Sequence, residues 1–525
     1  MAWLLQRFYR SPSTTALSWY CLHGDNPIIL EPFGVPWTLE VLAWMPLKFA
    51  GRLKPLLTGY LQWFDDCFAR RDTRAHLPVY VRGQLSDLPA KSCEPIALAA
   101  KVAPRTLQEF LSQHEWDEGR MRERVQELVA SEHAGPHSIG IIDETSDVKK
   151  GDKTPGVQRQ WCGKIGKKEN CLVTVHLGYA TGDFHTLVDG DLFLPESWSL
   201  DRARCRAAGI PDEVVYRPKW RIGLDVYDRA RKNGLSFDWL TVDEGYGGKP
   251  LFLQGLDERD QLFVAEVPTT FSCWLSTPPV TDRPYRRGGR GRPRKTPRLR
   301  VDAPSPSSVQ DLLAHSPTLR DQPWVRYHIK DGQKGPIVWE AKHTRIVMKN
   351  DDGLPGLELH LVVARNVLDL NEIKFFVSNA PPETEVSTLL LVAFSRWRVE
   401  RCFRDQKQEV GLDQWEGRTW LGLQRHLILT SVSYLFLARV REHLREKKSR
   451  THGVPSPRRR RRTRAELVAG RPHLAVADRT HREHHPALAR TQRHRTDAPP
   501  QENAQEITWN WHQTPPNNPL QVAVT

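Results

Sequence analysis

The chain has 525 residues, a formal net charge of +14 and 39% hydrophobic residues, which is enough apolar material for a sizeable core and, by length, for more than one domain. The positive balance points to a polyanionic partner, nucleic acid first, with a ribosomal-type or membrane-surface protein as the other classes of that charge. Its eight cysteines form no close CxxC pair and have no histidine at zinc spacing, which argues against a disulfide scaffold or zinc module and for a reduced, intracellular protein.

Residues 1–52 are apolar and proline-broken. The stretch from Ile28 to Ala50 is interrupted by Pro32, Pro36, Glu40 and Pro46, so neither a signal peptide nor a membrane span is read there, and the segment is taken as an extension of unassigned fold. Residues 53–135 read as a helical N-terminal domain. Within it, "IALAAKVAPRTLQEFLSQ" (96–113) has a helix, a proline-containing turn and a second helix from near Arg105, a pattern shared by DNA-reading helix-turn-helix units and ordinary helical hairpins.

At "HSIGIIDET" (137–145) the texture changes to a short apolar run that ends in acid, as a buried strand does. "CLVTVHLGYA" (171–180) and "FHTLVDGDLFL" (184–194) read as further strands, followed by helical patterns between 199 and 235. "DWLTVDEGYG" (238–247) again ends in acid and turn residues, and "QLFVAEVP" (261–268) is a fifth strand. Hairpins followed by strands alternating with helices predict an α/β fold with a mixed sheet over 136–268.

Residues 269–382 begin with a Gly/Pro/Arg linker and continue as β-rich segments, which predicts an insertion. Pro381 and Pro382 then open a long helix that Gly411 closes, and a second helix covers 425–444; together they make a helical segment over 383–445. From about Glu446 to Thr525 the chain is rich in Arg, His and Pro without periodicity. It is expected to be a disordered basic tail, either a natural DNA-binding arm or the product of an out-of-frame reading.

Three acids stand out. Asp143 and Asp243 each end an apolar run, and Glu400 lies in "SRWRVERCFRDQKQEVG" (395–411). Wound as an α-helix, that segment sets Arg396, Glu400 and Lys407 within a wedge of about 40°, with Trp397 and Phe403 about 60° to either side of Glu400. A carboxylate between aromatics is expected to face inward. In open α/β sheets the cleft lies beyond the carboxyl ends of strands, which makes Asp143 and Asp243 neighbours and lets a packed helix bring Glu400 to them. Three converging carboxylates repel one another without a cation, and oxygen-only ligands suit Mg²⁺ or Mn²⁺. Two such ions can activate a water or a 3′-hydroxyl for in-line displacement at a phosphodiester. A glycoside hydrolase would also use paired acids, but would leave the basic charge without a role.

"IGIIDETSDVKKGDKTPGVQRQWCGKIGKKENC", "LTVDEGYG" and "RWRVERCFRDQK" together resemble the DDE transposases of bacterial insertion sequences, in the branch with a Tyr-Arg-Glu-Lys motif, over about 55–445. The resemblance implies a ribonuclease H-like catalytic core interrupted by a β-rich insertion. It places the catalytic, metal-binding acids on Asp143, Asp243 and Glu400, the motif arginine on Arg396 and its lysine on Lys407. The tyrosine has no counterpart, because Ala393 stands three residues before Arg396. It further implies two Mg²⁺ or Mn²⁺ ions, double-stranded DNA as partner at the element ends and the target, a homodimer in a synaptic complex, and work in the bacterial cytoplasm at the nucleoid. An inactive, DNA-binding remnant is the alternative.

Four more DNA contacts are expected on this reading. Arg290 and Arg292 lie in "RGRPRK" (290–295), which resembles a minor-groove AT-hook and equally a solvated basic linker. Trp324 and Trp339 in the insertion read as β-core aromatics, while related enzymes stack an insertion tryptophan on a flipped base.

Overall fold

The computed structural model describes residues 53–281, 296–332 and 335–451. The extension 1–52, the AT-hook-like Arg290 and Arg292, and the tail beyond residue 451 lie outside the described residues.

Among the described residues, twelve strands join one mixed sheet. The first four are β1 (Ile139–Val148), β2 (Gln158–Cys162), β3 (Lys167–Thr181) and β4 (Phe184–Leu192), with β1, β2 and β4 each antiparallel to β3. After helix α1 (Lys219–Lys232), β5 (Trp239–Val242) pairs parallel to β1, and β6 (Phe263–Val267) pairs parallel to β5. The central strands are apolar on both faces: Ile139, Ile141, Ile142, Leu240 and Val242 are buried. That is the signature of a strand covered by helices on each side. Helix α1 packs close because Gly223 has no side chain; a Cβ there would stand 3.1 Å from Ile142.

The strands of 269–382 do not form a separate β body. β7 (Ser272–Trp274), β10 (Ser307–Ser308), β11 (Val325–Gly332), β12 (Gly335–Lys349), β13 (Pro355–Asn366) and β14 (Ile373–Ser378) extend the same sheet in the order β10-β7-β12-β13-β14-β6, with β11 on β12. Among the described residues, only β8 (Val280–Thr281) and β9 (Arg298–Leu299) pair apart from it. The edge of β6 offers an unpaired ladder, and β14 completes it through Val377↔Ala265 and Phe376↔Glu266.

The single long helix expected after Pro382 is two. Helix α2 (Val386–Ala393) and helix α3 (Trp397–Asp405) are broken at Phe394 to Arg396, and a π-helical turn (Gln406–Val410) follows, ended by Gly411 at φ +77°. The break is packed from below: the Trp339 ring lies 4.7 Å from that of Phe394. The final helix α4 (Trp420–Thr451) is buried along most of its first half and receives the N-terminal helices. Tyr60 donates to the Val432 carbonyl at 2.8 Å, and Arg425 donates to the carbonyls of His114 at 2.8 Å and Trp116 at 3.0 Å. The 96–113 pattern forms two helices, Cys93–Ala99 and Pro104–Ser112, the second burying Leu107, Phe110 and Leu111.

Candidate active site

β1 and β5 run parallel in the register Ile142↔Val242, so the next residue of each strand, Asp143 and Asp243, emerges at the same level. β1 itself continues past Asp143 to Val148, paired on its other side with β3 through Asp143↔His176. β5 stops at Val242, and Asp243 becomes the N-cap of a four-residue helical turn, Glu244–Gly247. Its Oδ1 accepts from the backbone N–H of Gly245 at 3.0 Å and of Tyr246 at 3.3 Å. Such capping satisfies orphan amides and fixes the carboxylate. The turn lies flush on β6 because Gly247 lacks a side chain: a Cβ would stand 2.0 Å from the Glu266 carbonyl oxygen.

Asp143 is only 7% exposed. Its Oδ1 accepts from the Glu144 N–H at 2.7 Å, and its Oδ2 lies 3.2 Å from Arg396 Nη1. Burial first, and then the neighbouring Asp243, push its pKa up to about 7, against the opposing pull of Arg396. Asp243 is also raised, by burial and, less, by Glu266, with Arg396 and the two backbone amides opposing. Two like charges held together in low dielectric hinder each other's ionisation.

Arg396 stands at the head of α3 and gathers the acids. Besides Asp143, it reaches Glu400 through Nη2 at 3.0 Å and Glu266 through Nε at 4.0 Å. Glu266 was missed in the sequence, although a lone acid inside "FVAEV" is a signal that could have found it; it also pairs with Lys374 at 2.7 Å. Glu400 does not face the core as expected. Its side chain is 57% exposed, because Val399, Cys402 and Phe403 form the buried face of α3, and Trp397 is likewise 41% exposed.

Lys407 sits in the π turn; its Nζ donates to the Ser146 carbonyl at 3.1 Å, and burial lowers its pKa. Of the acids beside the two aspartates, Glu144 is tied to Lys219 at 2.6 Å, and Glu244 is exposed. Trp339, expected as a DNA contact, is 7% exposed within the cluster that includes Val264, Val362 and Leu390, so its faces are covered by β12–β14 and α2 and are closed to a base. Trp324 is half-buried, with the Arg365 guanidinium 4.1 Å and Lys342 Nζ 4.9 Å from its ring.

Among the described residues, no three His, Cys, Asp or Glu side chains stand close enough together to hold an ion. The Arg396 guanidinium occupies the space between Asp143 and Glu400. The donor set nevertheless fits a hard divalent cation: it is oxygen-only, and Asp143 and Asp243 stay raised even with Arg396 beside them.

The chain matches the family model described as DDE superfamily endonuclease over residues 63–336, a little over half its length, and belongs to that family. Asp143 and Asp243 fall inside the matched segment, and Glu400 beyond it. A curated relative, the probable transposase for insertion sequence element IS701 of Microchaete diplosiphon, is 31% identical over 213 residues, 40% of this chain and 52% of the relative. The chain therefore spans about half the length of that relative. Among solved structures, the NurA nuclease from Sulfolobus solfataricus aligns at 12% identity over 51% of this chain and 83% of its own, with a TM-score of 0.21, which bears on neither fold nor chemistry. No described helix is long and apolar enough to cross a membrane.

Proposed function

We propose that this chain is an insertion-sequence transposase that cuts double-stranded DNA at the ends of its element and joins the freed 3′-hydroxyl to target DNA, as a homodimer across the paired ends. The observation that carries the reading is the side-by-side placement of Asp143 and Asp243 at neighbouring parallel strands, with Glu400 linked to Asp143 through Arg396. A strand order of β4-β3-β1-β5-β6, antiparallel then parallel, supports a ribonuclease H-like core, with 269–382 inserted before the helix that bears Glu400. The family and the IS701 relative support the DNA substrate.

Asp143, Asp243 and Glu400 would hold Mg²⁺ or Mn²⁺, probed as one or two ions. A bound ion supplies Lewis-acid stabilisation of charge at the phosphodiester. The chain's own groups prepare that site. The amides of Gly245 and Tyr246 hold the Asp243 carboxylate in one orientation, and Lys219 keeps Glu144 directed away. Arg396 neutralises the acids before an ion arrives and, once displaced from them, is a guanidinium suited to a DNA phosphate. The test is incubation of the purified protein with linear DNA carrying the element's inverted ends, with Mg²⁺ or Mn²⁺. Specific nicking and joined products are expected. Binding without either product identifies an inactive remnant and overturns the reading.

A further inference from the structure

The hairpin made by β2 and the start of β3 runs past the end of β1 and curls back on it, with the Lys164 N–H donating to Ser146 Oγ at 3.2 Å and Lys164 Nζ 2.8 Å from Asp413. β1 ends at Val148, paired to Cys171, and past the Lys149 N–H bond to the Asn170 carbonyl, Lys167 to Glu169 are paired with β2 alone. Its tip, Gly163 to Gly166, is exposed and is turned by Gly166 at φ +63°. Side chains alternate between faces, and the β1–β3 register runs without a shift from Ile139↔Ala180 to Val148↔Cys171. Counting by twos along β3 from His176, the partner of Asp143, therefore leads through Thr174 and Leu172 to Asn170 and Lys168. Their β2 partners are Arg159 and Trp161. The other face carries Cys162, Cys171 and Val173, which are buried together.

Arg159, Trp161 and Lys168 are thus an exposed strip on the same sheet face as Asp143, and Trp161 is 56% exposed. Among the described residues Arg159 and Lys168 have no ion-pair partner, and over 149–170 seven Lys and Arg residues face two acids, Asp152 and Glu169. Unpaired cations flanking an exposed aromatic match a phosphate backbone better than they match an apolar protein partner. We infer that the β2–β3 hairpin is a DNA-contact arm: Arg159 and Lys168 engage phosphates, and Trp161 packs on the duplex. The inference rests on the transposase reading, and adds to it a surface outside the acid site.

The experiment measures binding of the full chain to a 40-base-pair duplex of arbitrary sequence by fluorescence anisotropy from 50 to 300 mM NaCl. For Arg159→Ala with Lys168→Ala, the log–log salt slope should fall by roughly 2, and affinity at 150 mM NaCl by on the order of tenfold. The control, Arg231→Ala with Lys232→Ala at the end of α1 that leads into β5, on the opposite end of the sheet, should match wild type. A photo-cross-linking residue at position 161 should label the duplex in the otherwise unaltered chain, which keeps the idea testable if the double variant misfolds. Wild type that binds while the hairpin variant keeps the wild-type slope and position 161 yields no cross-link overturns the arm alone. Wild type that binds no duplex overturns the transposase reading itself.

Discussion

Arg396 Nη1 lies 3.2 Å from Asp143 Oδ2, joining the head of one helix to the middle of a strand 253 residues earlier in the chain. The pair is half of a bridge, since the same guanidinium holds Glu400 at 3.0 Å. Removing it leaves a buried carboxylate without its cation, which costs about 3–5 kcal/mol in comparable settings. Arg396→Ala is therefore expected to lower the melting temperature in chelator and to gain more stabilisation than wild type from added Mn²⁺, because the ion no longer competes with a guanidinium. Equal Mn²⁺ shifts for the two proteins in thermal denaturation would refute that competition.

The acids divide by geometry into two sets. Asp143→Asn, Asp243→Asn and Glu400→Gln should each abolish nicking and joining while retaining DNA binding, since each swap keeps shape and removes a ligand charge. Glu144→Gln and Glu244→Gln should keep activity within a few-fold, the first because Glu144 is engaged by Lys219, the second because it faces solvent. Cleavage of end-bearing DNA beside a binding assay decides; loss of cleavage in Glu244→Gln with retention in Glu400→Gln would reverse the assignment.

Stability should depend on pH through Asp143. Its folded pKa of about 7 lies above the ordinary 3.8, so between those values the folded state holds a proton that the unfolded state has released. Stability from this group is complete below the unfolded value and falls as pH rises through 7, by about 4 kcal/mol at most. In chelator, Asp143→Asn should therefore melt higher than wild type at pH 8, with the difference shrinking toward pH 4. A constant difference across that range would remove Asp143 as its source.

The two insertion tryptophans should separate. Trp339→Ala empties a buried site against Phe394 and is expected to destabilise by about 3–5 kcal/mol in urea unfolding. Trp324→Ala loses ring contacts with Arg365 and Lys342 and should cost only about 1 kcal/mol. If Trp339→Ala left the unfolding midpoint unchanged and weakened DNA binding, the core placement would be wrong.

Lys407→Ala removes the donor to the Ser146 carbonyl and should lower stability by about 1–3 kcal/mol. A shallower salt slope of DNA binding with an unchanged melting temperature would instead place its ammonium on DNA.

The sequence by itself determined what is local. The apolar runs before Asp143 and Asp243 marked buried strands, because a strand covered on both faces must be apolar throughout; the acid marked the end of β5, while β1 continues buried past Asp143. The family was legible in the spaced motifs, and the family comparison agrees with it. Long-range pairing was not legible. That Val242 meets Ile142 one level below the two aspartates, that the segment after 269 continues the main sheet instead of standing apart, and that Glu266 joins the acid cluster are all set by ladder register between distant strands. The helix period misled at Glu400, whose helix buries Val399 and Cys402 instead. Local pattern states which face of an element is apolar; only the packed neighbours decide which element covers it and which charges are left to meet at its edge.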